Sequence, residues 1–592
     1  MRTIDTDVLV VGAGVSGLTA SVFLASQDVP ALTIARHPGT APSPRSHITN
    51  PRTMEVFRDL GIEAAVKEVA TPLADLPHNV TATSLAGMEL ARYRAYGTGP
   101  RSSEYAAASP CAPFNAPQHL LEPVLLAAGR DRGANVRFSN ELLTIEQSDV
   151  GVTAHVLDRD TGEEYVVRAR YAIGADGGRS RVAEQLGFGF AGQAGLRHMV
   201  NMWLEVDLEQ YTAHRPGVLY IMAQPGEAFW VGSGTFICVR PWNEWVLVRE
   251  YDPTAGEPDT SDAAVTEFAR TLIGDPHADV RVKGVSTWQV NNVVATEYQR
   301  GRVFLAGDAA HRHPPAGGLG SNTSIQDALN LAWKIAYVVK GRAGEGLLDS
   351  YHEERQPIGR QVIDRAMESM ENMVPVIRAL GFERGQTAQE GQAVLQHLFS
   401  AGTTAEQRRA DLAAALDLQN YRSNALGVEL GQRYTSRAVV GDGTLFPEPT
   451  RDPELHYHAT THPGAHLPHA WVEHERRQVS TLDLVGHGRF SLITGIGGRP
   501  WAEAAAKLAA DLDLELPVHI IGYRCEYDDV LGDWAALREI SDTGALLVRP
   551  DRHVAWRSPG LPADPYHVLS TALRHALALE TSTASDAATV GA

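Results

Sequence analysis

Three glycine–aspartate clusters in this chain have the residue types and spacing to hold a nucleotide. In Asp7-Val-Leu-Val-Val-Gly-Ala-Gly-Val-Ser-Gly-Leu-Thr-Ala20, an apolar stretch from Val8 to Val11 runs into Gly12, Gly14 and Gly17 and then a helical sequence. Gly12 permits a tight turn, Gly14 admits a pyrophosphate against the backbone, and Gly17 lets helix and strand pack closely. The helix N-terminus points free N–H groups and a partial positive charge at the phosphates, so a dinucleotide is the expected ligand. The second cluster is Gly174-Ala-Asp-Gly-Gly-Arg-Ser180, after a strand from Tyr171 to Ile173. The third opens with Gly307-Asp308, after Val303 to Ala306, and continues to Ala328. Each places an acid, Asp176 or Asp308, at the carboxyl end of a strand, where α/β sheets bind ligands. Asp308 is set to accept a hydrogen bond from a polyol chain. Pro314-Pro315 stiffens its loop, and Gly317-Gly-Leu-Gly320 lets backbone approach a flat ring. A helix N-terminus at that ring would stabilise the negative charge of a reduced flavin.

These clusters need a sheet to position them. Residues 1 to about 75 read as a β-α-β unit with Ala31–Ile34 as second strand, then a helix to Leu60 with Asn50 as N-cap and Pro51 in its first turn. Leu120 to Gly133 reads as a helix, Val136 to Phe138 as a strand, and 141–173 as a β-meander. A second strand-rich stretch covers about 198–252. Its aromatics, Trp203, Trp230, Phe236, Trp242 and Trp245, suit a pocket lining or, at period-two spacing, a sheet core. Ser321 to Lys340 and Leu347 to about Met373 are helical in period, 380–420 is mostly helical, and about 480–592 forms a separate α/β segment. The tail from Thr581 is small and polar, and disorder is expected there.

The 592 residues carry a net charge of −19, which argues against nucleic acid or an anionic membrane as partner. The three cysteines form no CxxC pair, which fits a reducing compartment. No apolar run reaches 18 residues, and the N-terminus is the first strand without a signal-peptide pattern; a cytoplasmic protein is expected. His311 and His313 lack a clustered cysteine or carboxylate, so no metal is expected. His462, His466 and His469 read as surface or turn residues, and no GxSxG elbow accompanies Ser16 or Ser180. Lys334 and Arg355 read as structural ion-pair partners on helices, individually worth little.

The ordered set Gly12/Gly14/Gly17, Asp176-Gly177 and Gly307-Asp308 resembles the class A FAD-dependent aromatic hydroxylases, over residues 1 to about 375. Pro44-Arg-Ser-His-Ile-Thr-Asn-Pro-Arg-Thr-Met-Glu55 and Gly317-Gly-Leu-Gly-Ser-Asn-Thr-Ser-Ile-Gln-Asp327 resemble the phenol and chlorophenol hydroxylase branch, to which polyketide tailoring oxygenases are similar. His462-Pro-Gly-Ala-His-Leu-Pro-His-Ala-Trp471 and Arg549-Pro-Asp-Arg-His-Val-Ala-Trp-Arg557 resemble that branch's thioredoxin-like C-terminal domain. Without a CxxC, packing or dimer contact is its expected task. The resemblance implies an α/β fold: a Rossmann-like FAD-binding domain (1–75, 110–197 and 290–375) with an inserted β-sheet substrate domain (76–109 and 198–289). A helical linker region (376–430) and a thioredoxin-like domain (431–592) follow. It implies FAD contacts from Arg45 and Gln118, Asp308 at the ribityl chain, and Asp176 with Gly177 at the FAD or the approaching nicotinamide. Gly318, Gly320, Ser321 and Asn322 complete the cofactor set. Trp203, Trp230, Phe236 and Pro314 are the candidate substrate contacts. NADPH or NADH binds transiently, O2 is co-substrate, and a homodimer is expected.

One departure stands out. The family usually ends its second strand with a Glu that binds the adenosine ribose. The position 23 residues after Gly12 is Ala35, and Arg36 follows. FAD binding is therefore expected to be weakened but retained, with Arg36 on the adenosine or its phosphates.

The implied reaction begins with reduction of FAD by NAD(P)H. Oxygen then adds at flavin C4a to give a hydroperoxide, which a phenolic ring attacks through its ortho carbon. His47, where related phenol hydroxylases carry an acid, is the candidate base; its ordinary pKa of about 6.5 leaves it mostly neutral. The alternative for His47 is a loop residue bonded to backbone or flavin. Two other functions remain: Baeyer–Villiger oxygenation or oxidative rearrangement of an aromatic polyketide, and a non-catalytic flavin-binding redox sensor.

Overall fold

The structure is a computed structural model that describes residues 2–225, 232–383 and 385–579. Trp230 and the tail from Thr581 lie outside the described residues. The strand Arg2–Val11 runs through the first sheet, parallel to Ala31–Ile34 on one side and to Glu164–Gly174 on the other. Asn135–Arg137 and Val303–Leu305 extend the parallel set outward. Val8, Leu9 and Val10 are fully buried, as a strand covered on both faces requires. The meander Asn140–Gln147, Val152–Asp158 and Glu164–Gly174 hangs from this sheet in antiparallel register. Register fixes the site: Val11 pairs with Gly174, and Gly174 with Leu305. All three glycine–aspartate clusters therefore leave the same sheet edge. The ladder carries into their loops, with Gly12 N–H donating to Ile34 (2.8 Å), Ala175 to Val11 (2.7 Å) and Ala306 to Gly174 (3.0 Å).

A second eight-stranded sheet gathers strands distant in sequence. Its order is His311–Arg312, Arg281–Ala295, Phe190–Glu205, Glu244–Tyr251, Gly234–Arg240, Gly217–Met222, His78–Ala82 and Glu89–Arg94. The helix Asp262–Ile273 covers one face, over Val200, Phe236 and Trp245. Met370 and Met373 cover the other, over Met199, Val246 and Val248. The boundaries expected after 197 and before 290 fall inside strands that run unbroken, Phe190–Glu205 and Arg281–Ala295. The alternation that marks a strand does not mark which sheet it joins.

From residue 373 to 430 the described residues form five helices: Met373–Leu380, Ala388–Leu398, Thr403–Asp417, Gln419–Ser423 and Leu426–Leu430. A four-stranded sheet follows, ordered Val518–Ile520, Ser491–Thr494, Ala545–Val548 and Val554–Ser558, with the first pair parallel and the others antiparallel. The α/β segment at 480–592 reads as separate in sequence, yet its core is continuous with the first sheet's. Phe490 packs edge-on against Trp333 and Tyr337 of the helix Gly320–Val339, with ring centroids 5.7 and 5.8 Å apart.

Candidate active site

At the shared edge the glycines interlock. Gly12 has φ +111°, and a Cβ there would stand 2.1 Å from the Ala175 carbonyl oxygen; a Cβ on Gly17 would stand 1.9 Å from that of Gly12. Only glycine fits either place. Gly14 is open instead, with Glu122 Oε1 its nearest neighbour at 3.8 Å. Gly14 also caps the helix Val15–Ser26, and no side chain satisfies that helix end, so its N–H donors are available to an anion. Asp176 Oδ2 accepts from the backbone N–H of Arg181 (2.7 Å) and Val182 (3.3 Å), while its Oδ1 is buried without a partner among the described residues. Burial raises the Asp176 carboxyl above the usual range. Gly177 beside it has φ +82°, and a Cβ there would have nothing within 4 Å.

Asp308 is exposed at its side chain, with protein packed around it. That enclosure raises its carboxyl, and His311, Arg45 and Arg312 pull it back. The Arg45 charge is felt by Glu122 and His37 as well, which places it between the first and third clusters. An open glycine, an uncapped helix end, an orphan carboxylate oxygen and a cation along one edge fit a dinucleotide. At the end of the strand Ala31–Ile34, Ala35 offers backbone only, donating to Arg137 O (2.9 Å) and accepting from Asn140 N–H (2.8 Å). Arg36 is exposed, its Nε on His37 Nε2 at 3.3 Å. Gln118 turns its amide on Glu122 (2.5 Å), whose other oxygen takes the Ala41 N–H (2.5 Å).

Asn322 stitches two loops together. Its Oδ1 accepts from Asn50 N–H (3.0 Å), and its Nδ2 donates to Ile48 O (2.9 Å) and Gly318 O (2.6 Å). Gly318, at φ +67°, has no room for a Cβ, which would fall 2.7 Å from Ile48. The loop carrying His47 is thereby locked to the loop carrying Gly317–Gly320. On its other side, Ala116 N–H donates to His47 O (2.7 Å) and Gln118 N–H to Arg45 O (2.8 Å). Surrounding protein drives the His47 imidazole down to about 4, helped by neighbouring His119 and opposed by the Cys238 carbonyl. His47 Nδ1 is buried with no hydrogen-bond partner among the described residues. Enclosure likewise takes His313 down to about 4. Its Nδ1 donates to Pro314 O (2.7 Å), and its ring stands where a Cβ on Gly320 would come within 3.3 Å. Ser321 is half-buried at the start of the helix Gly320–Val339, which no side chain caps.

The aromatic candidates divide. Trp203 is half-buried beside the site: its indole donates to Glu244 (2.8 Å), Lys283 lies over its ring (4.0 Å), and His119 meets it edge-on (5.6 Å). Phe236 is fully buried against Trp245 on the sheet face under the helix Asp262–Ile273. It is core, because its register turns it away from His119 and Trp203. Pro314 is buried at the loop itself. Lys334 and Arg355 are not weak ion-pair partners but wholly buried ones, 2.7 Å from Glu354 and Asp327 respectively. His462, His466 and His469, read from sequence as surface or turn residues, are buried too. Sequence reasoning passed over Glu122, His119 and Asp327. Asp327 alone carries a signal, an acid about two helical turns past a glycine-rich N-terminus; its partners Gly307, His311 and Arg355 lie well apart from it in sequence. Among the described residues no group of histidines, cysteines or acids could hold a metal, and no helix is long and apolar enough to cross a membrane.

Comparison with known proteins gives this geometry its family. Residues 5–366 match the FAD binding domain family and 460–578 the aromatic-ring hydroxylase C-terminal family. The chain is 46% identical over 557 residues to 2,4-dichlorophenol 6-monooxygenase of Delftia acidovorans, covering 94% of this chain and 95% of that one. It is 34% identical to tetracenomycin A2 monooxygenase-dioxygenase of Streptomyces glaucescens, with both chains covered in full. Among solved structures, the flavin-dependent monooxygenase PieE in complex with FAD and substrate superposes with a TM-score of 0.95 at 47% identity, covering 98% of this chain and 100% of that one. A cofactor edge built from three loops of one sheet, and sequence likeness along nearly the whole chain, lead to one conclusion: this chain belongs to the FAD-dependent aromatic-ring hydroxylases and is a flavin-dependent monooxygenase.

Proposed function

We propose that this enzyme hydroxylates a phenolic or polycyclic aromatic ring held between His47 and the sheet face that carries Trp203. FAD, when bound, supplies the oxygen-activating chemistry, with NADPH or NADH as reductant and O2 as co-substrate. Gly12, Gly14 and Gly17 cradle its pyrophosphate, Arg45 and Arg36 supply positive charge, Asp308 takes the ribityl chain, and Asp176 and Gly177 flank it. Gly318, Gly320 and Ser321 bring backbone to the ring, with Pro314 at its border. Asn322 acts one step back, holding the loops in place.

The observation that carries this reading is the buried, unpartnered Nδ1 of His47 on a doubly pinned loop. A neutral imidazole there accepts a hydrogen bond from a substrate hydroxyl and orients the ring. It does not strip the proton at rest. Moving a proton from a phenol of pKa about 10 to an imidazole at about 4 is uphill by about 8 kcal/mol. The proton passes only as attack makes the hydroxyl acidic.

The test is His47→Ala assayed with phenol, 2,4-dichlorophenol and a polycyclic phenol. Hydroxylated product should fall by about tenfold or more while peroxide release rises. Wild-type coupling at every pH removes His47 from the reaction. The likeness to a putative polyketide hydroxylase of Streptomyces halstedii, 35% identical, supports a polyketide ring as the alternative substrate, and product NMR separates ring hydroxylation from Baeyer–Villiger insertion.

The same reading divides the chain into an FAD-binding unit, an inserted substrate sheet bounded by its own strand ends, a helical linker and a C-terminal unit. The strand order of that last unit supports a thioredoxin-like fold. A homodimer in the cytoplasm is the expected assembly, checked by light scattering and fractionation.

A further inference from the structure

The C-terminal unit reaches the cofactor edge through a buried polar chain. Asp327, on the helix Gly320–Val339, divides its carboxylate between two neighbours. Oδ2 accepts from the Gly307 N–H (3.1 Å) and from His311 Nε2 (2.7 Å); Oδ1 accepts from Arg355 Nε (2.7 Å). None of the three side chains is exposed. Gly307 sits at φ +63°, wedged where a Cβ would meet Ser324 Oγ at 2.9 Å and Ser16 Cβ at 3.2 Å. It is the residue before Asp308, so its N–H sets where that acid stands against the first glycine cluster.

Arg355 carries the chain outward. Its Nη1 donates to Gln432 Oε1 (2.6 Å) and Tyr434 Oη (3.0 Å), and its Nη2 to Thr323 O (3.4 Å). Gln432 also donates to Gln326 (2.6 Å). Tyr434 is anchored in the C-terminal unit: its ring stacks on His553 at 4.0 Å and its N–H donates to Gly464 O (2.9 Å). One residue before Arg355, Glu354 takes two bonds from Arg549 (2.5 and 2.8 Å), one from Lys334 (2.7 Å) and one from Ser436 (2.6 Å). The C-terminal unit thus grips neighbouring residues of one helix, directly behind the cofactor turn.

We propose that Asp327 and Arg355 are positioning residues through which the C-terminal unit holds the Gly307-Asp308 turn in its FAD-binding shape. This gives the unit a task that needs no CxxC and no subunit contact. A guanidinium is suited to the joint because its planar fork reaches Asp327 from Nε and Gln432 and Tyr434 from Nη1, whereas an ammonium presents its three donors from a single nitrogen.

The test is FAD titration of full-length apoprotein, read by the dissociation constant and the visible flavin spectrum, beside the apoprotein's melting temperature. Arg355→Lys and Asp327→Asn should each weaken FAD binding by about tenfold or more and alter the bound-flavin spectrum. Tyr434→Phe removes one distant hydroxyl and should weaken binding several-fold, with the apoprotein melting as wild type does. Should the first two variants fail to fold, Tyr434→Phe decides the matter. Native FAD affinity and spectrum in Tyr434→Phe, or a lowered melting temperature with unchanged affinity in any variant, overturns the proposal.

Discussion

Two residues at opposite ends of the cofactor edge behave unlike their usual counterparts. Ala35 stands where the family places a ribose-binding Glu, and the structure gives it only backbone bonds. A hydrogen bond to a charged group contributes about 1.5–3 kcal/mol, so Ala35→Glu should tighten FAD roughly ten- to hundredfold; an unchanged dissociation constant refutes this. His47 is the other. An ordinary histidine would impose an acidic limb near pH 6.5, whereas enclosure has taken this one to about 4. Since the neutral form accepts the substrate's hydrogen bond, kcat/KM should show no His47-linked loss until pH falls toward that value. A wild-type limb near 6.5 that vanishes in His47→Ala would contradict the enclosure drawn here.

At the scale of elements, the active site depends on loops pinned to one another more than on any single element. Asn322 makes three bonds across the His47 and Gly317–Gly320 loops. Asn322→Ala leaves buried backbone groups unpaired at about 1–3 kcal/mol each. It should lower stability and, in protein that still binds FAD, blunt substrate-stimulated NADPH oxidation. Native values for both would show that the helix N-terminus orders these loops unaided. This role is not legible in sequence, where Asn322 reads as a cofactor ligand beside Gly320 and Ser321. Its spacing from Gly318 was visible, but its partners Ile48 and Asn50 lie about 270 residues away in the chain.

The whole molecule carries buried titratable groups of opposite sign. Burial or enclosure lowers His47, His313 and His469 to about 4, whereas an unfolded histidine titrates near 6.5. Between those values the unfolded chain binds protons that the fold refuses, so stability falls as pH drops through that window. Glu429 does the reverse. Burial raises it to about 8, so the fold keeps a proton that the unfolded chain loses, and stability falls as pH rises from about 4.5 toward 8. Apoprotein melting temperatures should therefore peak at mildly acidic to neutral pH. Glu429→Gln should selectively raise the melting temperature at pH 8.5, and an identical alkaline decline in that variant would count against the assignment.

The local pattern determined what could be read along a few residues: the strand Val8–Val11, the glycines that only a tight turn explains, Asn50 capping its helix (2.9 Å to Thr53 N–H), and acids at strand ends. Those are facts of backbone geometry and short-range hydrogen bonding, carried within about twenty residues. The tertiary structure alone decided that Phe236 faces a core while Trp203 faces His119 and Lys283 on the other side of the sheet, because alternation does not say which side of a sheet is covered. It alone decided that Lys334 and Arg355 are buried and joined to the C-terminal unit, because burial depends on which distant segment arrives to exclude water.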